Sequence, residues 1–210
     1  MATISSFPTS PGFKAINFRQ INRTKKTETQ SGRIVRIGNA TTRWGATLAY
    51  PTMPQTEARP VKAFIAQLQG GLNDFDIILT DISTPQGTAT SNPFDMRTAA
   101  SAGATSVSAR FADSTLDDSS EGTIKYLKSG DVLRFSGHTK VYMVTSDVTS
   151  DSSGHITIAI TPSLVSAVGV DETITTNDVP FRVHLANDVQ EFQHATDRTI
   201  ELEIDVEEVI

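Results

Sequence analysis

The chain has 210 residues, no cysteine and a formal net charge of −6 at pH 7. That length suits one large domain or two small ones, with enough buried surface to dispense with covalent staples. The lack of thiols excludes a disulfide scaffold, a cysteine nucleophile and a thiolate metal site, and the negative charge argues against general affinity for nucleic acid.

Residues 1–12 contain Pro8 and Pro11 and little periodicity, and read as an arm that orders only by docking. They lack a basic region followed by an apolar core, so no signal peptide is expected, and no apolar run in the chain reaches the length of a membrane span. Over residues 13–23, Ile16 and Phe18 alternate with Lys14 and Asn17, as in a strand. Residues 22–30 are polar and suit a hairpin loop. Residues 31–37 and 41–50 read as two more strands joined through Gly38-Asn39, with Trp44, Ala46 and Leu48 on one face. A helix follows over about 55–69. Thr52 with Gln55, or Thr56, supplies its N-cap, Val61, Phe64, Ile65 and Leu68 form its apolar stripe, and Gly70-Gly71 ends it. Residues 75–80 read as a buried strand.

Residues 83–102 turn to Thr, Ser, Ala, Pro and Gly and read as a linker. Beyond it, Leu133 and Phe135, Tyr142 and Val144, and Ile156, Ile158 and Ile160 each recur with a period of two. Ser129-Gly130-Asp131, Ser136-Gly137 and Asp151-Ser-Ser-Gly154 separate these runs with turn chemistry. With flanking strands at 105–111 and 172–176, residues 103–177 form a small antiparallel β-barrel. Pro180 marks the return to long strands at 181–192 and 199–209. In the last, Ile200, Leu202, Ile204 and Val206 oppose Glu201, Glu203, Asp205 and Glu207. The fold class is therefore mainly β. Residues 13–82 and 180–210 make a discontinuous β-rich body with one helix, interrupted by the linker and the inserted barrel.

Trp44, Pro60-Val-Lys-Ala-Phe-Ile-Ala-Gln-Leu-Gln-Gly70 and Phe75 resemble tail proteins of tailed bacteriophages, especially distal tail proteins. So do Leu127-Lys-Ser-Gly-Asp131, Lys140-Val-Tyr-Met-Val-Thr-Ser-Asp-Val-Thr-Ser-Asp151 and Thr161-Pro-Ser-Leu164. The resemblance covers about residues 41–208. It implies a β-barrel or sandwich ring domain with a peripheral barrel, usually as a homohexamer joining the tail tube to the host-facing tip. The implied partners are further copies of the chain, the tail tube protein, the tail tip or baseplate hub protein, and receptor-binding or fibre proteins. DNA would only pass through the lumen. The implied place is the virion tail, assembled in the host cytoplasm.

The residues show no local motif of catalysis: no nucleophile elbow, phosphate loop, dinucleotide fingerprint or zincin helix. His138, His155, His184 and His194 lack zinc spacing and read as surface or rim residues. The carboxylates of 147–154 lack the alternation of a calcium loop and read as a hairpin tip. No cofactor, metal or enzymatic activity is expected.

Charge is divided between the ends of the chain. Residues 1–43 hold eight Lys or Arg and one acid, Glu28, whereas residues 191–210 hold seven acids against Arg198. Like charges on adjacent strands repel, so both stripes gain by meeting the other, within one subunit or across a ring interface. Arg19, Arg23, Arg33, Arg36, Glu201, Glu203, Asp205 and Glu207 are the candidate inter-subunit residues. The expected function is a structural virion protein, a distal tail adaptor in the baseplate. The rivals are another baseplate or neck adaptor, and a carbohydrate-binding module, for which the barrel offers Phe111, Tyr126, Phe135 and Tyr142 as aromatics, at least two of which read as buried.

Overall fold

The structure, a computed structural model, describes residues 3–4, 7–38, 42–89, 94–111, 126–151, 153–195 and 198–210, with the backbone alone at 3, 4 and 194. Contacts divide the chain into two compact units. One is Met1–Ile77 with Arg182–Ile210, and the other is Ile78–Phe181.

The first unit is built on a six-stranded sheet. Its order is Thr3–Ile4, Asp74–Ile78, Pro180–Leu185, Glu203–Glu208, Arg43–Ala49 and Ala15–Ile21. The first pair is parallel, and the last three pairings for which register is fixed are antiparallel. Period-two patterning sets the inner face. Trp44, Ala46 and Leu48 are buried, as are Phe75 and Ile77, Phe181, Val183 and Leu185, and Ile204 and Val206. The helix Gln55–Leu68 buries Ala58, Val61, Phe64, Ile65 and Leu68, the stripe expected from its sequence.

Its ends differ from expectation. Pro54 occupies the N-cap with no side-chain hydrogen bond, so neither Thr52 nor Thr56 caps it. Gln69, rather than a glycine, takes the first left-handed conformation at the other end, at φ 54°, and Gly70 follows at φ 69°. The arm docks within the chain: Thr3–Ile4 adds to the sheet beside Asp74–Phe75, and Phe7 is buried. Its ring stacks on Phe75 at 5.4 Å between centroids and meets Phe64 edge-on at 5.3 Å.

Three strand assignments need correction. The polar stretch expected as a loop at 22–30 holds the strand Thr24–Glu28, paired with Ile34–Gly38 in an isolated hairpin. The strand expected at 181–192 stops at Leu185. The last strand breaks at Leu202: Thr199–Glu201 joins a small sheet with Met53–Pro54 and Gln193–His194, and Glu203–Glu208 joins the large one.

The second unit holds a closed antiparallel barrel in the order Val132–Phe135, Val141–Val144, His155–Thr161, Ser106–Phe111, Phe94–Met96 and Thr173–Thr175. The three alternating runs are strands of this barrel, and they fill it with Leu133, Phe135, Tyr142, Val144, Ile156, Ile158 and Ile160. The stretch 83–102 is not a linker, because Phe94–Met96 closes the barrel and Phe94, Met96 and Ala89 have no exposed surface. Asp131 fixes the chain leading to it. Its carboxylate, almost wholly buried, accepts the backbone N–H groups of Gln86 and Lys128 at 2.8 Å and of Gly87 at 3.4 Å. Ser83 is also buried, donating to the Val179 carbonyl at 2.9 Å and accepting from the Leu79 N–H at 2.9 Å.

Candidate interaction surface

The outward face of the large sheet brings the two charged stripes together. In register, Asn17, Thr47 and Asp205 form one row across three strands, and Arg19, Gly45 and Glu207 form the next. Arg19 Nη1 lies 3.2 Å from Asp205 Oδ1 and donates to Thr47 Oγ1 at 2.7 Å, while the Thr47 hydroxyl donates to the same carboxylate. Gly45 permits this reach. A Cβ there would stand 3.0 Å from both Arg19 Nε and Ile21 Cδ1. The Thr47 hydroxyl is the main cause holding the Asp205 carboxyl below its ordinary range. Partial burial opposes it and the Arg19 guanidinium reinforces it.

The other candidates are dispersed. Glu201 accepts from Thr52 Oγ1 at 3.0 Å. Glu203 is exposed and Glu207, opposite His184, is half-buried on the strand Glu203–Glu208. Arg23, Arg33 and Arg36 belong to the hairpin, where Lys25 and Lys26 join them. Its turn is well made, with Thr29 accepting the Gly32 N–H and donating its own N–H to Arg33, each at 2.9 Å, and Gly32 left-handed at φ 76°. Among the described residues none of these five cations forms an ion pair. An open cleft lined by Asn22, Arg23, Thr24, Lys25, Ile37 and Gly38 lies at the hairpin's base.

Glu208 escaped the sequence reading. It continues the apolar alternation of Ile204 and Val206, is wholly buried, and accepts the Trp44 N–H at 3.1 Å. The doublet Glu207-Glu208 was the available signal, since on a strand with one buried face only one of two adjacent residues can face solvent.

In the barrel, His138 is not a surface residue as expected. It is buried, with Nδ1 3.1 Å from Tyr142 Oη and Nε2 3.0 Å from Ser166 Oγ. Tyr142 Oη accepts the Val165 N–H at 3.2 Å, so this network fastens the segment after Leu164 to the barrel. Phe135 and Tyr142 are fully buried, as expected for at least two of the four aromatics, and Phe111, half-buried, stacks on Phe94 at 5.4 Å. Asp147 accepts from Lys128 Nζ and the Ser129 N–H, and Asp151 accepts from the Ser153 and His155 N–H groups, so these carboxylates build turns. Among the described residues no group of three His, Asp or Glu side chains is placed to hold a metal.

Residues 95–179 match the family model described as Distal tail protein pb9, B domain. The insert is thus similar to a domain of distal tail proteins. Its family boundaries begin inside Phe94–Met96 and end at Val179, so they enclose the closed barrel rather than residues 103–177 alone. This supports the resemblance to tailed-phage distal tail proteins and points to a structural role in a phage tail. No curated protein matches the chain significantly.

Proposed function

We propose that the protein is the distal tail adaptor of a phage baseplate, a homohexameric ring between the tail tube protein and the tail tip or hub protein. The match of the barrel to a distal tail B domain carries this reading. The discontinuous first unit, which precedes and follows the barrel in sequence, supports it as the body that would build the ring. Function would come from shape and interfaces, without catalytic turnover, and assembly would take place in the host cytoplasm. Receptor-binding or fibre proteins would attach at the same end of the tail. Immunogold labelling of intact virions tests the placement. Label at the junction of tube and tip agrees with it, whereas label at the head–tail neck or along fibres refutes it.

A further inference from the structure

One short stretch of chain reaches both edges of the large sheet. Thr3–Ile4 lies at one edge beside Asp74–Phe75, and Ala15–Ile21 is the strand at the other. Neighbouring strands stand roughly 4.8 Å apart, and the residues between the two edges can extend by about 3.5 Å each. Residues 5–14 are therefore long enough to cross the sheet, and the arm does so over its apolar face. Rings hold it there. Phe7 is buried against Phe75 and Phe64, its centroid lies 5.8 Å from that of Phe13, and Phe13 meets Tyr50 edge-on. Among the described residues, none of residues 7–13 makes a hydrogen bond.

The seat is thus a sheet edge that accepts an extended segment in parallel pairing, with an aromatic box for the side chain three residues on. Those are the two parts of a β-augmentation site, main-chain pairing for affinity and a pocket for specificity. The link out of it contains Pro8, Pro11 and Gly12 and is exposed or half-buried throughout. Prolines favour extended chain in such a link, and it can be redirected without breaking a hydrogen bond. The seat cannot tell its own arm from the same arm of another copy, which is the condition for exchanging an identical element. We propose that neighbouring copies in the assembled protein exchange these arms, so that Thr3–Ile4 of one chain pairs with Asp74–Phe75 of the next and its Phe7 fills the box of Phe64 and Phe75 there. The inference rests on the ring reading and names a segment that ties its subunits together. A neighbour held in the ring presents its arm at high effective concentration, and exchange turns burial within a chain into burial between chains with every contact kept.

The chain has no cysteine, so single introduced thiols report the exchange cleanly. Thr3 and Asp74 are register partners, within reach of a disulfide. Full-length Thr3→Cys and Asp74→Cys chains, carrying tags of different length, are mixed under assembling conditions and oxidised, with light scattering on the same samples. Mixed covalent dimers are expected, in excess over the share that random collision gives, and they should disappear on dilution below the assembly concentration. A chain with both substitutions tests pairing within one copy. If it closes on itself while assembled mixtures give no excess of mixed dimers, the arm stays at home and exchange is overturned with the ring reading intact. If neither sample cross-links, the edge holds no arm and exchange is likewise overturned. A wild type that remains monomeric at all concentrations overturns both.

Discussion

Glu208 holds its carboxylate in the core of the first unit and there accepts the backbone N–H of Trp44 at 3.1 Å. The strand pairing between Glu203–Glu208 and Arg43–Ala49 runs only as far as Glu207 opposite Gly45. The Glu208 side chain takes over at the next position and closes a backbone donor that the ladder leaves behind. Glu208→Ala should therefore lower stability by about 1–3 kcal/mol, because a buried donor loses its acceptor. Urea unfolding followed by tryptophan fluorescence measures it, since Trp44 is the sole tryptophan. A loss under about 0.5 kcal/mol, typical of surface sites, would place Glu208 in solvent.

Asp205 gives the first unit an acid-sensitive tie. Its folded-state carboxyl titrates below the ordinary value, chiefly through the Thr47 hydroxyl. A depressed carboxylate contributes stability that is present above its unfolded pKa, about 3.9, and that is lost as pH falls through the folded value. As pH falls below about 4, the wild type should thus lose more stability than Asp205→Asn, which lacks this titration. Parallel urea midpoints across that range decide it. Equal slopes for the two proteins would show that Asp205 has the same affinity for protons folded and unfolded.

Much of the architecture was legible because burial imposes period two on strands and a single stripe on the helix. The three barrel runs and Val61, Phe64, Ile65 and Leu68 carried those signals plainly. Phe94–Met96 did not. It has three residues, and its Ser-, Thr- and Ala-rich surroundings conceal a strand whose place is fixed by pairing with Ser106–Phe111 and Thr173–Thr175. Thr24–Glu28 was hidden for the opposite reason: with both faces exposed, it has no apolar alternation to show. The charge division between the chain's ends was visible, but sequence left open whether Arg19 meets Asp205 inside one chain. Gly45, which makes room for that reach, has no meaning until the register is known.

The barrel's closure by Phe94–Met96 sets the smallest piece that can fold. A polypeptide of residues 103–177 lacks that strand and should give the narrow amide spectrum of an unfolded chain. Residues 84–181, which include it, should give dispersed amide signals. A well-dispersed spectrum from 103–177 would show that the strand is dispensable.

Tyr50 tests the packing of the first unit from the other direction. Its hydroxyl is buried and, among the described residues, has no hydrogen-bond partner, and burial pushes its pKa upward. The ring packs edge-on against Phe13 at 5.1 Å, so its apolar part is well used. Tyr50→Phe keeps that packing and removes the unsatisfied group, so stability should hold or rise by up to about 1 kcal/mol. A loss of more than about 1 kcal/mol would mean that the hydroxyl has a partner worth a net hydrogen bond.

The assembly itself is open to direct imaging. Electron microscopy of the purified full chain, with class averages collected over a range of protein concentrations at low salt, reports ring or monomer without reference to any single contact. A closed ring with sixfold symmetry is expected, and it should coincide with the density at the tube–tip junction of the virion. Particles that stay monomeric at every concentration, together with the absence of any such ring on the tail, would contradict the reading of this protein as a distal tail adaptor.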